Sequence, residues 1–238
     1  MRPWSPIPIH DCGEPLLPLP PELWRLEPHP YACVGAPYGE GASPFRLRAG
    51  VIERLLQAQS RLQHTSPTCR LAIIDAWRPI AVQRFMVAFA TAEECAARGV
   101  DPSRPSPERQ AVEEAVGQFW APPSDDPATP PPHSTGAAVD LTLASLDGEP
   151  LDLGSPIDAI GDVSHPDYFK DLARATPDPQ RRAQAGLFHQ RRSELAEVMR
   201  QAGFAQHPNE WWHFSHGDQL WAWRTGEQQA VYGRSGAC

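Results

Sequence analysis

The segment Ala137-Ala-Val139-Asp140-Leu141-Thr142-Leu143 reads as a strand with a carboxylate in its middle. Val139, Leu141 and Leu143 alternate as the buried face of a strand does, so Asp140 and Thr142 belong to the opposite face. An acid is at ease there if that face is solvated. If the face is covered, the carboxylate needs a cation or several donors, because an unpaired buried charge is costly.

Two flanking blocks bear on that choice. His133 stands seven residues upstream, after three prolines, and Glu210-Trp-Trp-His213 lies near the C-terminus. Residues seven apart point to opposite faces of an uninterrupted strand, so His133 and Asp140 converge only across a bend, for which Gly136 is suited. Proline-rich sequence before His133 favours an extended approach. Glu210 and His213 would share a face on a helix, but the aromatic context favours a strand, which then needs a bulge or strong twist. Each block alone has an ordinary reading: a surface or core histidine, or aromatic core residues with incidental neighbours. Together they hold three N/O ligands and a spare carboxylate. Zinc hydrolases need that set, with one coordination position left for water and a base to take its proton.

The chain has 238 residues, enough to bury a substantial core in one domain spanning 1–238. Residues 1–45 are rich in Pro and Gly and read as an irregular wrap, and 121–132 as a proline-rich connector. Helical spacing appears over 48–63 and again after Asp75-Ala-Trp-Arg78-Pro79, where Pro79 suits the first position of a helix running to about Gly99. Ser106-Pro107-Glu108 reads as a helix start. Leu71–Ile74 reads as a short buried strand, Asp147-Gly148 as a hairpin turn, and 187–202 as a helix with Leu187, Leu195, Val198 and Met199 facing inward. Glu210 to Trp223 reads as strand, and no second hydrophobic unit or internal repeat is visible. A formal net charge of −8 argues against nucleic-acid binding, and no segment approaches a membrane span. The first ten residues lack a secretory apolar run. The five cysteines, odd in number and scattered, fit reduced thiols, so the expected location is cytoplasmic.

His133-x-x-Gly136-x-Ala138-x-Asp140, Glu210-x-Trp212-His213 and the upstream Asp75-Ala-Trp-Arg78-Pro79 together resemble the D-alanyl-D-alanine dipeptidases of the vancomycin-resistance (VanX-like) type, within the wider zinc D,D-carboxypeptidase family. The matching blocks occur in order between about Tyr31 and Trp223. The resemblance implies that His133, Asp140 and His213 bind one Zn2+ per chain and that Glu210 is the general base. It implies that Arg78 stabilises the oxyanion, a role that competes with a structural one as partner of Asp75. It also implies that Asp158, in Gly154-Ser-Pro-Ile-Asp158, and Tyr31 hold the substrate ammonium. One departure stands out: members of this type usually carry Ser two residues before the first zinc histidine, and here that position is Pro131. Among the spare histidines His165, His207 and His216, His216 is the best candidate to support a ligand.

The expected architecture is α+β: a single domain whose antiparallel sheet carries the zinc site, with helices packed on one side. The expected activity is zinc-dependent hydrolysis of D-alanyl-D-alanine, or a closely related D,D-dipeptide, in peptidoglycan precursor control or recycling. The small dipeptide is the expected partner, without nucleic acid or membrane; oligomeric state is not legible. The alternatives are a D,D- or L,D-carboxypeptidase or muropeptide endopeptidase on the same site, or a zinc-stabilised binding module without catalysis.

Overall fold

Proline and glycine keep the first part of the chain from forming long elements, and a computed structural model, which describes residues 2–235, shows what forms instead. Two short strands, β1 (Leu16–Pro18) and β2 (Trp24–Arg25), precede a one-turn helix α1 (Pro30–Cys33) and a third strand β3 (Arg46–Arg48). β1 and β3 make a separate antiparallel pair. The long helix α2 (Ala49–Thr65) follows, then β4 (Cys69–Asp75), α3 (Ile80–Arg98) and α4 (Pro107–Phe119). A 3-10 turn at Pro132–Thr135 leads into β5 (Ala138–Ser145). The C-terminal third contains α5 (Tyr168–Ala175), α6 (Pro179–Gln201), β6 (Ala205–Gln206), β7 (His213–Ser215) and α7 (Gln219–Thr225).

The main sheet has five strands in the order β2-β4-β5-β7-β6. It is antiparallel except at one edge, where β2 runs parallel to β4. The apolar alternation of β5 sets its two faces. Leu71, Ile73, Val139, Leu141 and Leu143 join one core with Val51, Leu55 and Leu62 of α2 and Leu195, Val198 and Met199 of α6. The amphipathic helices α2 and α6 thus cover one face of the sheet, and burying leucine- and valine-sized side chains there contributes roughly 1.5–3 kcal/mol each. The other face carries Asp140 and its neighbours.

Register does the rest. Asp140 pairs with His213 across β5 and β7, and with Asp75 across β4 and β5. The register shifts between Ile73 and Asp75, so β4 has one extra residue at this point. That bulge turns Asp75 into the row formed by Asp140 and His213.

Several sequence expectations need correction. Pro79 is the residue before α3 rather than its first residue. α6 begins at Pro179, capped by the Asp178 side chain, two turns earlier than apolar periodicity suggested, because its first turns are polar and exposed. Leu187 is 43% exposed, and Phe188 takes the inward position. Residues 219–223 are helical, not extended: Asp218 accepts from the Trp221 amide and starts α7. A satellite apolar cluster, absent from the sequence reading, joins α3 and α4 through Val82, Met86, Val112, Val116 and Trp120, with Tyr31 of α1. Ser106 caps α4 as expected. Cys12, Cys33, Cys69 and Cys95 are free thiols, and Cys238 lies outside the described residues.

Gly136 joins the 3-10 turn to β5 with φ 71°, in the left-handed region that favours glycine. A Cβ there would also lie 2.2 Å from Leu16 Cδ1. Gly136→Ala should therefore lose about 1–2 kcal/mol of stability from the backbone conformation alone. Urea unfolding of the two proteins checks this, and an unchanged midpoint would mean that the turn relaxes without cost.

Candidate active site

His133 reaches the covered polar face from the 3-10 turn, not from an extended approach: the extension ends at Pro131, and Pro132 begins the turn. Its Nδ1 lies 2.7 Å from the Ala76 carbonyl, which can only accept, so Nδ1 carries the proton in the neutral ring. Nε2 then presents a lone pair. It sits 3.2 Å from Asp140 Oδ2 and 3.1 Å from His213 Nδ1, while His213 Nδ1 is 3.0 Å from Asp140 Oδ1. All three side chains are buried.

This triangle fits a metal on chemical grounds. A zinc ion with ligands at 2.0–2.2 Å in tetrahedral geometry holds its donor atoms roughly 3.3 Å apart. His133, Asp140 and His213 together form the one such cluster found among the described residues, their ligand atoms all within 4.8 Å of one another. Asp140 Oδ1 is buried without a hydrogen bond, an arrangement that a cation would relieve. Burial opposes ionisation of Asp140, yet the two histidines outweigh it and hold the carboxyl well below the usual range. Of the two readings of Asp140 open in the sequence, the covered face with a paired carboxylate is the one observed.

Glu210 is not in a strand. It lies in the loop 207–212 that connects β6 to β7, so the loop, rather than a bulge or twist, brings it beside His213. Its carboxylate is 3.6 Å from His213 Nδ1 and 3.2 Å from His207 Nδ1. The loop is pinned: the His207 amide donates to the His213 carbonyl, and the Trp211 amide to the Ser164 carbonyl. Burial first, then the charges of Asp140 and Asp158, push the Glu210 carboxyl well above the ordinary range. Such a carboxylate is a good proton acceptor next to a cation and a carrier of that proton afterwards.

Arg78 makes the contact with Asp75 that competed with an oxyanion role in the sequence reading, and it also borders the cleft. Its Nη2 and Nε donate to Asp75 Oδ2 at 2.7 and 3.0 Å, and Nη1 donates to Gln83 at 2.9 Å. Nη2 also lies 3.3 Å from the Tyr31 hydroxyl and 3.4 Å from Asp140 Oδ2, on the wall of the cleft. Burial alone would lower the Arg78 pKa, but Asp75 overrides it and the guanidinium is held charged. Asp75 is fully buried; besides Arg78 it meets His29 Nε2 at 3.0 Å and the Tyr38 hydroxyl at 3.2 Å.

Tyr31 and Asp158 meet each other: the phenol donates to Asp158 Oδ2 at 2.7 Å. Asp158 has φ 63°, a conformation that aspartate tolerates better than most residues. Its loop is tied to α6 by Arg192, which donates to the carbonyls of Leu153, Val163 and His165. Burial and then the charge of Asp140 push the Asp158 carboxyl up to about 6, against the pull of Arg78 and Tyr31.

The residues expected at the site therefore come together around one cleft, with Tyr31 behind its wall, bonded to Asp158 and Arg78. The histidine expected to support a ligand is corrected. His216 is bonded to the Gly203 carbonyl at 2.8 Å and packs on Trp221, away from the triangle. His207 fills that place, its ring 5.4 Å from that of His213 and at a steep angle to it. The spacing His207-x-x-Glu210-x-x-His213 was the available signal. Arg2 and Trp4, which also line the cleft, carried none.

The family model and the named relatives agree on one family. The model of the Peptidase_M15 family, described as D-ala-D-ala dipeptidase, matches residues 25–231. A protein named D-alanyl-D-alanine dipeptidase from Synechocystis sp. is 45% identical over 243 residues, covering 98% of this chain and 97% of the relative. Another of the same name from Streptomyces coelicolor is 39% identical over 84 residues, 35% of each chain. Among solved structures, a mutant of the vancomycin-resistance D,D-pentapeptidase VanY from a VanB-type cassette, in complex with Zn(II), aligns with TM-score 0.43 and 13% identity, covering 78% of this chain and 80% of that one. VanYB in complex with D-alanine-D-alanine aligns with TM-score 0.42 and 14% identity, covering 76% and 78%.

The raised Asp158 pKa has a consequence for stability. A carboxyl whose folded pKa lies above its unfolded value of 3.8 favours the fold while protonated and loses that contribution as pH rises through about 6. In chelator-treated protein, Asp158→Asn should gain on the parent chain between about pH 4 and 7, by on the order of 1 kcal/mol after solvent screening. Denaturant midpoints across that range check it; a constant difference would mean that Asp158 is already ionised at pH 4.

Proposed function

The chain belongs to the D-Ala-D-Ala dipeptidase family of M15 peptidases, and from this we propose that it hydrolyses D-alanyl-D-alanine, or a closely related D,D-dipeptide, to free amino acids with one zinc ion per chain. The observation that carries the proposal is the convergence of His133 Nε2, Asp140 and His213 Nδ1 with the Glu210 carboxylate beside them. His133, Asp140 and His213 are the ligands in this reading. Zinc, when bound, polarises the scissile carbonyl and lowers the pKa of water to about 7.

The remaining steps belong to the chain's own side chains. Glu210 takes the proton of the attacking water and returns it to the leaving amine. A raised carboxyl pKa suits that exchange, because the proton must be held and then released near neutral pH. Arg78 faces the oxygen that gains charge as the carbonyl is attacked. With Asp75 and Gln83 fixing its plane, little reorganisation is needed as that charge develops. Asp158, supported by Tyr31, pairs with the free ammonium of the substrate. A substrate lacking that ammonium would leave the Asp158 carboxylate with the Tyr31 hydroxyl but no cation to pair with, and this selects for dipeptides.

The proposed setting is cytoplasmic, in control or recycling of peptidoglycan precursors. No helix among the described residues is long and apolar enough to cross a membrane.

Two measurements test this reading. D-alanyl-D-alanine should be cleaved with a far higher kcat/KM than its N-acetylated form; faster cleavage of the capped peptide would instead identify a carboxypeptidase or muropeptide endopeptidase. Glu210→Ala should retain zinc by metal analysis and lose about 100- to 10,000-fold in kcat. Undiminished turnover in that variant would remove Glu210 as the base. A parent chain that binds zinc yet cleaves none of these peptides would be a binding module.

A further inference from the structure

A zwitterionic dipeptide has two charged ends, and the residues above account for only one of them. Glu210, Asp140, Asp158 and Asp75 are acidic, and Arg78 is committed to Asp75 and Gln83. The other guanidinium on the cleft wall is Arg2. It comes from the opposite end of the sequence, carried by an N-terminal arm that is firmly anchored. Gln219 of α7 donates to the carbonyls of Ser5 and Ile7, and residues 8 and 10 exchange backbone hydrogen bonds with Ala230.

Arg2 is partly buried, and its Nη1 and Nη2 donate to the carbonyls of Gln118 and Trp120, just at and beyond the end of α4. Those bonds fix the guanidinium and use two of its five N–H groups. Among the described residues it makes no ion pair with a carboxylate. Its carbon sits 5.6 Å from the Trp4 ring, and Trp4 is buried edge-on against His207 at 5.5 Å. A partly desolvated cation with no ion pair among the described residues, on the wall of the cleft, is placed to take an anionic ligand.

Charge decides which end of the ligand Arg2 meets, because a guanidinium pairs with the carboxylate and the acids of the cleft are left to the ammonium. Two routes of contact join Arg2 to the rest of the site. Trp4 leads to His207 and Glu210, and Trp120, whose carbonyl accepts from Arg2, packs its ring on the Arg78 guanidinium.

We propose that Arg2 binds the α-carboxylate of the substrate and is the specificity-determining residue for that end. The inference rests on the dipeptidase reading and deepens it: Asp158 reads the amine and Arg2 reads the acid.

The test is calorimetric binding to zinc-loaded Glu210→Ala protein, which holds ligand without turning it over, with D-alanyl-D-alanine and D-alanyl-D-alaninamide as the two probes. Adding Arg2→Gln should weaken the acid by roughly ten-fold or more and leave the amide within about two-fold, so that preference for the free carboxylate collapses. Arg2→Lys keeps the charge and should restore part of that preference. Equal weakening of both ligands in both variants would make Arg2 a packing residue and overturn the proposal, as would no change in either. Failure of the dipeptidase reading looks different: the otherwise unchanged chain would favour N-acetylated peptide, while the acid-to-amide ratio still reported on Arg2.

Discussion

Asp140 and His213 face each other from adjacent strands, and a buried carboxylate at that position governs the arrangement around it. In register with β4 and β7, Asp140 cannot move away from its neighbours, and it is buried. Left alone it would cost several kcal/mol or give up its charge. What surrounds it is a set of groups able to hold positive charge: two imidazoles whose free nitrogens converge on it, and the Arg78 guanidinium at 3.4 Å. The apolar face of the same sheet, packed under α2 and α6, supplies the rigidity that keeps these distances short.

Asp75 shows the same logic one strand over. The bulge in β4 turns its carboxylate into the buried row, and Arg78, three residues on, folds back to meet it. A lysine could neutralise Asp75 but could not donate at once to Asp75, Gln83 and the cleft in a fixed plane. Tyr31 and Trp120 pack on the guanidinium at 4.9 and 5.0 Å, so its position is defined by aromatic faces as well as by hydrogen bonds. Asp75, Asp140, Asp158 and Glu210 crowd into a small volume, and burial first, then repulsion from the neighbouring acids, raises the pKa values of Glu210 and Asp158. A divalent cation at the triangle would relieve that repulsion, and in the proposed function metal binding, acid–base chemistry and ammonium recognition would draw on one electrostatic arrangement.

Much of this was legible in the residues because it is written locally. Alternation in 139–143 gave β5 and its two faces, the turn at Gly136 explained how a histidine seven residues upstream could join Asp140, and helical spacing located α2 and α3. What was not legible depends on distant pairing or on polar helices. α5 has an apolar side, with Tyr168, Phe169 and Ala173, but spans only eight residues; the first turns of α6 lack an apolar stripe, and residues 219–223 carry aromatic residues that suggest strand until the Asp218 cap is seen. Glu210 looked like a strand residue in need of a bulge, because nothing local says that β7 begins only at His213. His207 was passed over for His216, although only the former shares the loop with Glu210. Arg2 was invisible for the plainest reason: an arm anchored on residues more than two hundred positions away leaves no mark in its own sequence.

The central claim is that two imidazoles and an aspartate hold a zinc ion that keeps room for water. X-ray absorption at the zinc edge of purified protein tests it directly. The account predicts only N and O scatterers at about 2.0–2.2 Å, with the multiple-scattering pattern of two imidazoles and a total of four or five ligands. A thiolate shell at about 2.3 Å, or folded protein that takes up no zinc, would contradict it.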